Sequence, residues 1–179
     1  MAEEGTVRIR GRDVPVREGD LLLVRSNTVW SNLVAPFCDG WGHVVTVALH
    51  EGRLMAFSVY IQPCGLVMAP IERFGSPSVS RLAICRPRVP RTRAQTIALR
   101  LAVADVIRMH TADARWCYDT PVEFAHSLFR MQPSSSTRYH CAELAARLVR
   151  ASGAWPTGRT VSLPIHEVAR EVGEVERIF

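Results

Sequence analysis

Residues 42–60, GHVVTVALHEGRLMAFSVY, carry the clearest structural pattern in the chain. Two runs rich in β-branched and other apolar residues, 43–49 and 53–60, flank the pair Glu51-Gly52. A two-residue, glycine-containing connection between such runs is typical of a tight β-hairpin turn. The stretch therefore predicts two antiparallel strands that are neighbours in a sheet.

The turn also sets the pairing of the two strands. A two-residue turn at Glu51-Gly52 places His43 opposite Tyr60. Because side chains alternate between the faces of a strand, Ser58 then lies on the same face as His43, as its diagonal neighbour. A shift of one residue would remove this arrangement.

Further strands and helices are predicted on both sides of the hairpin. The first half of the chain is rich in short apolar runs, and the second half has helical spacing of its apolar residues. We predict strands at 7–10, 21–24, 65–70 and 79–85, a long loop at 25–42, helices at 93–110, 121–130, 141–151 and 164–172, and a loop at 133–137. Strands followed by helices indicate an α+β fold with a small antiparallel sheet packed against helices. The 179 residues suit a single domain over residues 1–179.

Charge gives only weak information about partners. The net charge is +5, and all 22 basic residues are arginine. A GC-rich genome explains this uniform use of arginine better than selection for nucleic-acid binding does, so we expect no nucleic-acid partner. The densest basic run, 85–93, contains two prolines and is predicted to be a solvated linker. As the alternative, Arg86, Arg88, Arg91 and Arg93 contact an anionic membrane surface.

Compartment and cofactors are predicted from what the sequence lacks. The start, MAEEGTVRIR, has no signal-peptide pattern, and no apolar run reaches the ~20 residues of a membrane span. We therefore expect a cytoplasmic protein. The five cysteines are widely spaced, and none shows zinc-site spacing, so we expect free thiols, no metal and no cofactor.

Cys141 is the first candidate for a chemical role. It stands at the start of a predicted helix in STRYHCAELAARLVRASG. A helix N-terminus presents free N–H groups and the positive end of the helix dipole, which lower the pKa of a thiol and can form an oxyanion hole. The alternative is that a cysteine beside alanine and leucine is a packing residue.

His43 is the second candidate. It follows Gly-Trp-Gly and opens a strand, where a base can reach a nucleophile carried by another element. The alternative is a surface histidine at the end of a strand. Trp30 and Trp41 crowd the preceding segment; they can wall an apolar substrate groove, and core packing explains them equally well.

The motifs GDLLL at 19–23, GHVVTVAL at 42–49 and RYHCAELAARLVRASG at 138–153 resemble those of circularly permuted NlpC-type papain-like cysteine hydrolases. The resemblance is to the YiiX/YebB-like group, which is related to the lecithin–retinol acyltransferase-like enzymes. GLVMAPIERF at 65–74 and the pair Tyr118-Asp119 add to it. The resemblance covers roughly residues 18–172. It implies a permuted papain-like fold, and permuted members also occur in large DNA viruses, including poxviruses, for which the location would be host cytoplasm or virion.

The resemblance implies roles for individual residues. Cys141 would be the nucleophile and His43 the base. Tyr118 belongs to the pair that resembles the family, and we place it in the substrate groove. Tyr139 and His140, beside the cysteine, are predicted support residues for the oxyanion; His140 departs from the family pattern and is a secondary candidate that could act as a second base. Tyr60 is predicted to support the site as a substitute orienter of the base. The implied reaction is cleavage or transfer at an amide or ester bond of an acyl lipid or a peptide.

Ser58 departs from the family pattern, which usually has an acidic residue there. A neutral hydroxyl cannot stabilise an imidazolium as a carboxylate does. Two interpretations follow: Ser58 serves as a neutral third residue, or the chain is a catalytically silent papain-like fold used for binding or host interaction.

Overall fold

The computed structural model describes residues 4–60, 65–112, 141–153 and 165–179. The strands are β1 Glu4–Ile9, β2 Arg12–Arg17, β3 Leu21–Ser26, β4 His43–His50, β5 Arg53–Tyr60, β6 Gly65–Pro70, β7 Val79–Pro87 and β8 Gly173–Arg177. The helices are α1 Val29–Val34, α2 Arg93–Ala112, α3 Cys141–Ala151 and α4 Ile165–Val172. The predicted helix at 121–130 and the loop at 133–137 lie outside the described residues.

Six strands form one antiparallel sheet in the order β6-β5-β4-β3-β7-β8, and β1 and β2 form a separate hairpin. The predicted register of the central hairpin is confirmed, because His50 pairs with Arg53 and Thr46 pairs with Phe57. The α+β class with an antiparallel sheet and helices is therefore confirmed as well.

The sheet is covered on both faces. Alternate residues of β3 and β4, such as Leu23 and Val44, belong to a first core that includes the inner sides of α2, α3 and α4. The residues between them, such as Leu22 and Val45, belong to a second core with the β1–β2 hairpin. This explains why LLLV and VVTVAL are almost continuously apolar, whereas a sheet with one wet face alternates apolar and polar residues.

The two helices that matter for the site begin and end as the sequence indicates. Thr92 and Gln95 form a reciprocal cap at the start of α2: the Gln95 N–H donates to the Thr92 hydroxyl (3.2 Å), and the Thr92 N–H donates to the Gln95 side chain (2.9 Å). α3 begins at Cys141 and ends before Gly153, whose φ of +68° suits a helix stop. No helix within the described residues is long and apolar enough to cross a membrane.

One expectation about the elements was wrong, and two strands, β2 and β8, were not predicted. The predicted loop 25–42 contains the end of β3, α1 and a 3-10 turn at Ala35–Phe37. The predicted edge strand 7–10 is part of a hairpin whose second strand, β2, contains Pro15 and was not predicted. The last helix is followed by β8, which pairs with β7 at the edge of the sheet.

Candidate functional site

His43 lies at the first position of β4, beside the last residue of β5. The rings of His43 and Tyr60 are 4.3 Å apart between centroids and tilted by 50°. This contact follows from the hairpin register, which the turn at Glu51-Gly52 fixes. The structure therefore brings together these two predicted site residues.

Burial controls the charge of His43. The pKa of His43 is lowered to about 4, because the buried ring loses the water that would solvate an imidazolium. Its Nε2 atom is buried and has no hydrogen-bond partner among the described residues. His43 is therefore neutral at pH 7, and no group of the described residues satisfies its Nε2 atom.

Cys141 is the first residue of α3, and only 1% of it is exposed. α3 packs across β4 and β5, which places its start at the sheet that carries His43 and Tyr60. The pKa of Tyr60 is raised to about 12, chiefly by burial and in addition by the charge of Cys141, while Arg73 opposes the shift. Tyr60 therefore lies within electrostatic range of Cys141 as well as in ring contact with His43.

The pleat of the sheet separates the two candidate catalytic side chains. His43 pairs with Val24, and paired residues share a face, so His43 belongs to the face that packs on the β1–β2 hairpin. Cys141 belongs to the first core, on the opposite face. Any contact between Cys141 and His43 must therefore form around the end of the sheet, where β4 starts.

Ser58 is buried, and its hydroxyl donates a hydrogen bond to the carbonyl oxygen of Val44 at 2.8 Å. The single hydroxyl proton is thus used on the backbone of β4. The predicted role of Ser58 as an orienting group would have to rest on its oxygen acting as an acceptor.

The predicted groove and support residues have different locations. Trp41 is buried in the first core, with the Arg81 guanidinium 4.7 Å above its ring. Trp30 is exposed on α1. Tyr118, Tyr139 and His140 lie outside the described residues.

The sequence analysis missed a polar cluster at the turn between β2 and β3. Glu18 and Asp20 are almost fully buried, and the Arg100 guanidinium binds both oxygens of Glu18 at 2.8 and 2.7 Å. Arg91 lies directly against Gly19, whose φ of +90° only glycine adopts easily. The sequence signal for this cluster was Glu18-Gly19-Asp20, in which one acidic residue stands on each side of a glycine directly before the buried strand β3.

The four arginines of the predicted membrane contact divide into two pairs. Arg86 bonds Glu176 at 2.9 Å and lies 3.6 Å from Asp20, and burial lowers the pKa of Arg91. Arg88 and Arg93 are exposed. Arg86, Arg88 and Arg91 line a cavity of about 470 Å³ together with the acids of the β2–β3 turn. The segment is therefore partly built into the fold.

The comparisons with known proteins find a structural likeness alone. No family model matches the sequence, and no curated protein is similar to it. Among solved structures, the metalloprotein YiiX from Escherichia coli O157:H7, described as DUF1105, is similar with a TM-score of 0.57. The likeness covers 90% of this chain and 87% of that chain at 12% sequence identity.

The likeness to YiiX shows the fold. YiiX is a metalloprotein, so the metal-binding side chains of this chain need a comparison with it. No three His, Cys, Asp or Glu side chains among the described residues are grouped so that they could hold a metal ion. The chain thus has a YiiX-like α+β fold, and its NlpC-type and acyltransferase-like assignments stay predictions.

Proposed function

We propose that the protein is a cysteine-dependent hydrolase or acyltransferase in which Cys141 is the nucleophile and His43 the base. The observation that carries the proposal is the position of Tyr60. Its ring contacts His43, and it lies within electrostatic range of Cys141, which supports a site shared by the start of α3 and the start of β4.

The chemistry needs only side chains and backbone groups of this chain. Neutral His43 accepts the thiol proton, and the Cys141 thiolate attacks the carbonyl carbon of an amide or ester. N–H groups at the start of α3 stabilise the oxyanion, and the imidazolium returns its proton to the leaving group. Water releases the acid in a hydrolase; a second acceptor takes the acyl group in a transferase. The substrate is an acyl lipid or a peptide.

The second candidate is a silent papain-like fold that serves for binding. Two observations favour it. Ser58 uses its proton on Val44, and the pleat places His43 and Cys141 on opposite faces of the sheet. In this case Cys141 is a packing residue of the first core.

Alkylation separates the two candidates. The wild type is treated with iodoacetamide from about pH 5 to about pH 9, and each modified cysteine is identified by mass spectrometry. Exposure does not favour Cys141, because Cys38 and Cys85 are buried too. Cys85 is the internal reference: burial raises its pKa to about 12, so it should react slowly throughout.

A catalytic pair predicts selective alkylation of Cys141 below pH 7 and a loss of about tenfold in His43→Ala. His50→Ala is the matched control, since His50 ends the same strand and packs edge-on against Phe57 instead. Equal, slow labelling of several cysteines that His43→Ala leaves unchanged would reject the hydrolase and leave the binding module.

A further inference from the structure

α1 has an outer face that is apolar where a surface helix is normally polar. Val29, Trp30, Leu33 and Phe37 are between 44% and 73% exposed. They recur at helical spacing along α1 and the 3-10 turn that follows, so they form one strip, named here the α1 apolar face. The inner side is apolar as well, because Val34, Ala35 and Cys38 are buried.

Scattered exposed apolar residues are normal, but four large ones on three successive turns are not. The exposure is also not a matter of a poorly formed helix. The Thr28 side chain caps α1 by accepting from the Ser31 N–H at 3.2 Å, and the Ser31 hydroxyl accepts from the Ser26 N–H at 3.1 Å. The helix is fixed to β3 in this orientation.

Arginines gather at the loop that follows α1 and its 3-10 turn. A Cβ atom on Gly40 would strike the Arg81 guanidinium and lie 3.9 Å from that of Arg25, so both groups converge on Gly40. Arg170 reaches the same loop and binds Asp39 at 2.8 Å. The Gly40 N–H donates to Ala35, which holds this loop against the turn after α1.

The segment between the two strands has almost no charge of its own. Asp39 is the single charged residue in 27–42, so the basic rim of Arg25, Arg81 and Arg170 carries a positive excess over it. Tryptophan and phenylalanine prefer the headgroup level of a bilayer, aliphatic side chains go slightly deeper, and arginine binds lipid phosphates. The α1 apolar face and the arginines of the loop after it match this arrangement in composition.

We propose that the α1 apolar face is a docking site for the surface of a bilayer that contains anionic lipids. Val29, Trp30, Leu33 and Phe37 enter the interface, and Arg25, Arg81 and Arg170 contact the headgroups. This is a different surface from the arginine-rich 85–93 segment, and it does not depend on Cys141 being a nucleophile.

The test is cosedimentation with vesicles of phosphatidylcholine alone or mixed with phosphatidylserine. The α1 variant is Trp30→Ala/Leu33→Ala/Phe37→Ala. The matched control is Val89→Ala/Ile97→Ala/Leu101→Ala, which removes three residues that are 47% to 76% exposed elsewhere. Arg81→Gln/Arg170→Gln tests the rim, and Arg88→Gln/Arg93→Gln tests the other basic segment. Circular dichroism checks that each variant is folded.

The wild type, the matched control and Cys141→Ser should bind the mixed vesicles, and more weakly as salt rises. The α1 variant should lose about tenfold in partitioning, and the rim variant should lose the preference for phosphatidylserine.

Three results would overturn the proposal: no sedimentation of the wild type, equal binding by the α1 variant, or a loss seen only with Arg88→Gln/Arg93→Gln. Size-exclusion chromatography adds a fourth. If the wild type is an oligomer and the α1 variant is a monomer, the α1 apolar face is an interface between copies of this chain and not a membrane-docking site.

Discussion

At the residue scale, His43 links the candidate chemistry to stability. His43 is half-buried with its ring against Tyr60, and desolvation of the ring lowers its pKa to about 4 from the ordinary value of 6.5. A neutral imidazole at pH 7 is what a general base requires. The same desolvation lowers the free energy of unfolding at acidic pH, because His43 binds a proton more readily in the unfolded chain than in the folded protein.

The sign follows from the lowered pKa. Between about pH 6.5 and pH 4 the unfolded state binds more protons at this position, so the free energy of unfolding falls as the pH falls. From pH 7 to pH 5 the wild type should lose about 2 kcal/mol more than His43→Gln. Urea unfolding at both values measures this, with His50→Gln as the control. Equal losses in wild type and His43→Gln would show that the ring is solvated.

At the element scale, two hairpins use the same turn. Glu51 and Gly52 have φ of 49° and 77°, and Arg10 and Gly11 have φ of 49° and 78°. Positive φ at both central residues defines the type I′ turn, whose twist matches that of the strands. Glutamate and arginine are poor residues for the first position, so both turns store some strain.

The turn at Glu51-Gly52 can be improved or weakened predictably. Glu51→Asn should stabilise the protein by about 0.5 kcal/mol, because asparagine adopts positive φ more easily. Gly52→Ala should cost about 1 kcal/mol. An added Cβ meets nothing within 4 Å at Gly52 or at Gly11, so Gly11→Ala isolates the same backbone effect in the other hairpin. Thermal unfolding measures all three, and a neutral Gly52→Ala would show that the turn changes type.

The two hairpins also show what sequence can predict. The β4–β5 register followed from a turn pair between two apolar runs. The β1–β2 hairpin has a similar turn, but Pro15 in β2 argues against a strand when only the sequence is considered. β2 tolerates this proline because its hairpin is separate from the main sheet. α1 was missed because it is short and apolar on both sides, which removes the helical period.

The same limit applies to the candidate site. The contact between His43 and Tyr60 is local to one hairpin and was predictable from alternation. Three other features depend on packing between segments that are distant in the sequence. They are the position of Cys141 relative to the sheet, the contact of Arg91 with Gly19 and the ion pair of Arg100 with Glu18. The spacing of residues along the chain contains no signal for such contacts. β8 was not predicted for the same reason, because its pairing partner, β7, is distant in the sequence.

At the scale of the whole molecule, the sheet joins two cores. Leu23 and Leu22 are neighbours in β3 and point into different cores, as do Val44 and Val45 in β4. Neither core can lose its packing without exposing one face of the same strands. The β1–β2 hairpin makes no pairs with the six-stranded sheet, so its attachment depends on the second core and a few side chains.

This shared sheet predicts one cooperative unfolding transition. Ile9→Ala removes a fully buried side chain from the second core, and Leu144→Ala removes one from the first; each should cost about 3 kcal/mol. Because β3 and β4 belong to both cores, either variant should raise hydrogen exchange by the same factor in the most protected amides of β2 and of α3. Exchange followed by mass spectrometry in mild urea measures both regions together. If Ile9→Ala speeds exchange in β1 and β2 alone, the hairpin opens by itself, and the second core is a separate cover over a sheet held by the helices.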